Sequence, residues 1–313
     1  MTISWQAKIA RWVIGRSLGD PDAPIAEQRA AANRMAKLPH ARSTTVEEIQ
    51  VGGIRCLRLT PTRSVSERHM VYIHGGGYAL MSPETHLGWV QLLAVRANAT
   101  TTMIDYRLAP EHPYPAAIDD CVAVVRGLYA AGLNSHDMVL AGDSAGGGAS
   151  LSTLCRLRDA ADPLPAGVAL FSPWTDLTAS GDSVRTRRDA DPMIDADALA
   201  PFAEMYRGQT PADDPGVSPL FADLTGLPPT LIQVGDDEVL LDDSVRLDAA
   251  MRAVGVEVEL DVADQLWHVY QAFGAMVPEA RAALVRAAEF LATCTRQANA
   301  SGVDRPAAHS LTT

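Results

Sequence analysis

From about residue 55 onward, short apolar runs rich in β-branched residues alternate with longer segments of helical period, and this alternation restricts the chain to an α/β fold with a mainly parallel sheet. Seven runs read as strands: Arg55–Leu59, Met70–His74, Thr101–Tyr106, Met138–Ala141, Val168–Phe171, Thr230–Val234 and Val256–Asp261. Helices are expected to fill the gaps. Two segments break the alternation. Residues 1–40 read as two helices around the turn-rich Gly19-Asp20-Pro21-Asp22-Ala23-Pro24, with Trp5, Ile9, Trp12 and Val13 on one helical face. Residues 176–219 replace the strand pattern with charge, prolines and one amphipathic helix, Ala198–Tyr206. Both are expected to cap the active edge of a sheet carried by residues 41–297, and the polar, small tail 298–313 is expected to be disordered.

Composition narrows the function. Against 26 Lys and Arg stand 38 Asp and Glu, a formal charge of −12 that repels phosphate backbones and anionic lipid alike, so neither nucleic acid nor stable membrane association is expected. No apolar stretch reaches the roughly 18 residues of a membrane span. Lys8, Arg11 and Arg16 interrupt the apolar residues of the amino terminus, which argues against a signal-peptide core and for a soluble, cytoplasmic protein. Cys56, Cys121, Cys155 and Cys294 lack C-x-x-C spacing, so reduced, buried thiols are expected rather than zinc ligands or disulfides. The histidines show no H-E-x-x-H, and neither Gly75-Gly76-Gly77 nor Gly146-Gly147-Gly148 fits a phosphate-binding pattern, so neither metal nor cofactor is expected.

The most informative stretch is Met138-Val139-Leu140-Ala141-Gly142-Asp143-Ser144-Ala145-Gly146, an apolar strand entering Gly-x-Ser-x-Gly and then a helix. A serine on such a turn is held in a strained backbone, and the helix behind it offers amides and positive potential to an oxyanion. Upstream, the strand Met70–Ile73 ends in His74-Gly75-Gly76-Gly77, whose bare backbone can bring further amides to the same place. An ordinary serine in a glycine-rich turn is the plain alternative, and the pairing of the two motifs weighs against it.

A serine nucleophile needs a base and an orienting carboxylate, in the chain order Ser, acid, His. Downstream of Ser144 stand only His268 and His309, and His309 lies in the tail, which leaves His268 in Leu266-Trp267-His268-Val269-Tyr270. The strand Thr230–Val234 ends in Gly235-Asp236-Asp237-Glu238, three acids at the sheet edge where open α/β sheets bind ligands. Spacing alone does not choose among them.

Four segments, His74-Gly75-Gly76-Gly77, Asp105-Tyr106-Arg107-Leu108-Ala109-Pro110-Glu111, Gly142-Asp143-Ser144-Ala145-Gly146-Gly147 and Ser172-Pro173-Trp174-Thr175-Asp176-Leu177, resemble in sequence and order the signatures of the hormone-sensitive-lipase-like branch of the α/β-hydrolase esterases. The likeness covers about residues 45–295, and Gly-Asp-Ser-Ala-Gly resembles the bacterial subgroup named for that pentapeptide. It implies an α/β-hydrolase fold, with a mostly parallel central sheet flanked by helices and a helical cap. It further implies Ser144 as nucleophile, His268 as base, Asp237 as the acid, and the amides of Gly76, Gly77 and Ala145 as oxyanion hole. Trp267-His268-Val269 departs from the Pro or Gly that members often carry around this histidine. Arg107 and Glu111 are expected to pair beneath the site and fix their loop, while Trp5, Trp12, Met193, Phe202, Met205 and Tyr206 either line an acyl pocket or form cap core.

The expected activity is hydrolysis of small-molecule carboxylic esters with short to medium acyl chains, through an acyl-enzyme and without a cofactor. The alternatives are a lactone or acetamide hydrolase on the same residues, or a non-catalytic ligand receptor, against which the presence of both Ser144 and His268 argues. A homodimer through the strand Val256–Asp261 is expected by resemblance to the subgroup, since an edge strand presents unpaired backbone groups.

Overall fold

The computed structural model describes residues 3–17, 23–35, 43–63 and 67–300. Helices α1 (Trp5–Ser17) and α2 (Ile25–Met35) precede a hairpin of β1 (Thr44–Val51) and β2 (Ile54–Pro61). The chain continues through β3 (His69–Ile73), α3 (Pro83–Ala97), β4 (Thr100–Ile104), α4 (Ala116–Ala130), β5 (Met138–Asp143), α5 (Ala145–Asp159) and β6 (Val168–Phe171). After the short α6 (Ser183–Thr186) and α7 (Leu199–Arg207) come β7 (Thr230–Gly235), α8 (Leu241–Ala253), β8 (Val258–Ala263) and α9 (Pro278–Ala300). The eight strands form one sheet ordered β1-β2-β4-β3-β5-β6-β7-β8. From β4 through β8 every pairing is parallel, while β1 with β2 and β2 with β4 run antiparallel.

All seven strands read from the sequence are present, with no end shifted by more than two residues. The eighth, β1, has half-exposed Thr-Thr-Val-Glu-Glu-Ile-Gln-Val as an edge strand, and its order comes from pairing with β2 across the Gly52-Gly53 turn rather than from apolar content. Alternation along β3 divides the core. Val71 and Ile73 pack on the side of α4 and α5, and Met70 and Tyr72 on the side of α3 and α9. Helices cover both faces, which is why β3, β5, β6 and β7 are buried end to end. The four cysteines are buried and unbonded.

The two interruptions of the alternation lie where they meet each other and the sheet's carboxyl edge. Arg29 of α2 donates to the carbonyls of Ala79 and Ala109 and pairs with Glu111, 2.7 Å away. Tyr206 of α7 stacks on Tyr78, ring centroids 3.5 Å apart, just beyond the Gly75-Gly76-Gly77 turn. The expected pairing of Arg107 with Glu111 is not formed. Arg107 binds both carboxylate oxygens of the buried Asp120, which also accepts the Arg107 amide, and Glu111 turns outward to Arg29. The buried carboxylate offers Arg107 a two-pronged partner fixed by α4, whereas Glu111 sits on the rim. Of the tail 298–313, residues 298–300 complete α9 and the rest lies outside the described residues.

Candidate active site

Ser144 stands between β5 and α5 with φ 53° and ψ −125°, a backbone conformation held because its surroundings over-determine it. Its amide donates to Phe171 O at 2.9 Å, and its carbonyl accepts from the amides of Trp174, at 2.9 Å, and of Gly147. Glycine is obligatory at 146, because a Cβ there would lie 2.1 Å from Ile73 O and 2.5 Å from His74 O. That close approach lets α5 begin against the end of β3 and directs its amino terminus at the space over Ser144.

The Gly75-Gly76-Gly77 turn borders the same space. Gly76 and Gly77 have φ of 109° and 60°, and a Cβ on Gly77 would meet the Phe202 ring of α7 at 2.9 Å. Asp143, one residue before the serine, anchors the turn by accepting the Gly75 amide at 3.1 Å, and it also accepts from the Tyr72 hydroxyl and meets His86 Nε2 at 3.3 Å. Burial opposes its ionisation, but the neighbouring His86 and Tyr72 outweigh burial and hold the Asp143 carboxyl below its usual range. In the sequence Asp143 is only a letter of the pentapeptide. Its role as the tie between the two motifs is visible only where β3 and β5 lie side by side.

His268 follows β8 in a loop fastened to the end of β6. The Val269 amide donates to Ser172 Oγ at 3.0 Å, the Ser172 amide to Gln233 O at 2.7 Å, and Ser172 adjoins Phe171, which holds the Ser144 amide. The imidazole is buried, and its Nδ1 lies 2.8 Å from Glu238 Oε2. Glu238 is fully buried, and its other oxygen accepts from Ser172 Oγ at 2.9 Å and from the Gly235 amide at 2.5 Å. Burial by itself lowers the imidazole pKa. The hydrogen bond and charge of Glu238 more than offset it, the charge of Asp191 adds to them, and His268 is held above its usual 6.5.

The three consecutive acids therefore have three different partners, and the expectation that Asp237 reaches His268 is corrected. Asp236 accepts the Gln265 amide at 2.5 Å, Asp237 pairs with Arg11 of α1 at 2.8 Å, and Glu238 meets the imidazole. After Gly235 the chain folds back, so that Glu238 caps the Gly235 amide from beneath the sheet edge while Asp237 faces the amino-terminal helix. One more methylene gives glutamate the reach for this return.

Asp191, in the segment between β6 and α7, carries no sequence motif that marks it. Its carboxylate accepts the amides of Met193, at 2.8 Å, and of Val239, at 3.1 Å, joining the cap to the residue after Glu238. Burial pushes it up to about 6, against the opposing pull of His268. Of the six residues assigned to pocket or cap core, Tyr206 is buried against Tyr78, and Met193 packs against the cluster that holds Trp267. Phe202 and Met205 line a cavity of about 350 Å³ whose wall is mixed, with Ile25 and Pro201 on the apolar side and Gln28, Asp195 and Asp197 on the polar side. Trp5 and Trp12 belong to neither group and point into solvent. No group of three or more His, Cys, Asp or Glu able to hold a metal occurs among the described residues.

The chain matches the α/β hydrolase fold family over residues 70–272. It is 42% identical over 228 residues to an acetyl-hydrolase of Streptomyces hygroscopicus, covering 73% of this chain and 76% of that one. To an esterase of Acinetobacter venetianus it is 36% identical, covering 84% and 87%. The crystal structure of an esterase from the bacterial hormone-sensitive lipase family superimposes with a TM-score of 0.90 at 35% identity, over 94% of this chain and 100% of the other.

Proposed function

Since the chain belongs to the bacterial hormone-sensitive lipase family of α/β-hydrolase-fold esterases and is a serine carboxylesterase, we propose that it acts through Ser144, His268 and Glu238. Ser144 Oγ attacks the ester carbonyl carbon as its proton passes to Nε2 of His268, and the tetrahedral oxyanion is met by the amides of Gly76, Gly77 and Ala145. The imidazolium returns the proton to the departing alcohol. Water, deprotonated by the same nitrogen, then cleaves the acyl-enzyme to acid and free Ser144. Glu238 keeps the Nδ1 proton in place and stabilises the imidazolium. The observation that carries this reading is the buried 2.8 Å contact between Glu238 and His268, in a loop pinned through Ser172 to the backbone that holds Ser144. Ser144→Ala tests it. Hydrolysis of p-nitrophenyl butyrate should fall by about three orders of magnitude or more in a folded protein. A variant that retains a tenth of the wild-type kcat overturns the assignment.

We further propose short to medium acyl chains, because the cavity of about 350 Å³ walled by Ile25, Phe202 and Met205 meets the glycine turn through Phe202 and lies at the small end of ligand sites. Turnover should fall steeply from p-nitrophenyl butyrate to the palmitate ester, and Phe202→Ala should shift the optimum to longer chains. Equal kcat/KM on both esters in the wild type contradicts the proposal.

A further inference from the structure

Helix α1 presents two apolar faces, and only one of them is buried. Ala7, Ala10 and Ile14 pack inward on Leu266, Trp267, Tyr270 and the start of α9. Outward, Trp5, Ile9 and Trp12 are 68%, 53% and 59% exposed, at a spacing that lines them up along the helix. Two of the five tryptophans of the chain thus stand in solvent on one 13-residue helix. Met276, 62% exposed, lies three residues before Glu279, whose carboxylate holds Ser4 at 2.6 and 2.8 Å at the start of α1. Exposed apolar surface of this kind marks a binding face.

Charge identifies the occupant. The chain carries −12 overall, yet residues 1–42 hold seven Lys and Arg against three Asp and Glu, and α1 itself has Lys8, Arg11 and Arg16 with no acid. Arg11 is engaged by Asp237. Lys8 and Arg16 are exposed beside the aromatic stripe, and the Arg16 guanidinium sits 4.2 Å from the Trp12 ring centroid. Indole rings flanked by cations that can extend toward headgroups suit the boundary of an anionic bilayer.

We propose that α1 is a peripheral docking helix for anionic phospholipid bilayers, lying in the interface through Trp5, Ile9 and Trp12. Arg11 joins α1 to Asp237, next to Glu238, and to the carbonyls of Gln265 and Ala190. The docked face therefore adjoins the sheet edge that carries the candidate site, so ester substrates partitioned into the bilayer are presented to it. The expectation of no stable membrane association rested on the net charge of the whole chain, and the proposal rests on how unevenly that charge is distributed.

The test uses the full chain and sedimentation with vesicles of phosphatidylcholine and phosphatidylglycerol at roughly 7:3, against phosphatidylcholine alone, in about 0.1 M salt. The mixed vesicles should retain about tenfold more protein than the neutral ones, with a blue shift of tryptophan emission and release by about 1 M salt. Trp5→Ser/Trp12→Ser and, separately, Lys8→Glu/Arg16→Glu should each abolish the gain. Neither pair belongs to the catalytic machinery, so hydrolysis of soluble p-nitrophenyl butyrate should stay within about twofold. Sedimentation is read without turnover, so its outcome is independent of the esterase assignment. Absence of binding to the mixed vesicles, or wild-type binding by both variants, overturns the proposal. So does a dimer in light scattering that Trp5→Ser/Trp12→Ser converts to monomer, since a second copy would then be the occupant.

Discussion

Asp237 and Arg11 form an ion pair of 2.8 Å that binds the acidic turn at the end of β7 to the first helix of the chain. Both side chains are roughly a quarter exposed, at 23% and 28%, so the pair tethers α1 without placing Asp237 in the buried site. Its neighbour Glu238 has no such exposure and faces the imidazole.

The first prediction separates these adjacent acids. Glu238→Gln should lower kcat by about 10³ to 10⁴ through loss of the imidazolium's counter-charge and of tautomer control. Asp237→Asn should leave kcat within about threefold and cost roughly 0–1 kcal/mol of stability, as a partly exposed pair does. Steady-state kinetics and denaturant unfolding of the two variants side by side check this, and the reverse ranking would restore Asp237 as the acid.

The acidic limb of kcat/KM should have its midpoint above 6.5, because His268 must be neutral to accept the serine proton and Glu238 raises the pH at which it loses its own. Activity is therefore low on the acid side and rises through that midpoint. In Glu238→Gln the residual activity should titrate at lower pH, since burial, which disfavours the imidazolium, then loses its largest counterweight. Asp191→Asn should move the limb in the same direction by a smaller amount. A pH–rate profile of the three proteins decides it, and an unchanged midpoint in Glu238→Gln is the contrary result.

Ser172 donates to Glu238 and accepts from the Val269 amide, so it fixes both the acid and the loop of the base. Ser172→Ala leaves the Val269 amide without its acceptor, at a cost of about 1–3 kcal/mol, and should reduce kcat roughly tenfold with little change in KM. Kinetics combined with thermal unfolding measure both effects. Full activity in a destabilised variant would reduce Ser172 to a purely structural role.

Gly146→Ala should be among the most damaging conservative changes in the chain. The added methyl would meet two backbone carbonyls of the β3 end, and neither can turn away as a flexible side chain would. Destabilisation of about 3 kcal/mol or more is expected, beyond ordinary overpacking, together with loss of activity. Chemical denaturation provides the measurement.

The sequence by itself determined the parallel α/β framework, because buried strands flanked by helices on both faces must be written as short apolar runs. It also determined the serine at the head of α5 and the histidine after β8, since the elbow requires a particular glycine pattern and the choice of downstream histidine was narrow. Tertiary structure decided what residue type could not. Asp236, Asp237 and Glu238 are all acids, and which one meets His268 depends on how the chain folds back after Gly235 and on what stands opposite each carboxylate. The same limit applied to Arg107, whose partner is set by the packing of α4 rather than by the spacing to Glu111. It applied again to α1. The spacing of Trp5, Ile9 and Trp12 placed them on one face, but the direction of that face was fixed by the tertiary surroundings, where Ala7, Ala10 and Ile14 share a cluster with Leu266, Trp267, Tyr270 and the start of α9 and are buried while Trp5, Ile9 and Trp12 are exposed. Periodicity specifies a face, and only the surface packed against the helix specifies whether that face is buried.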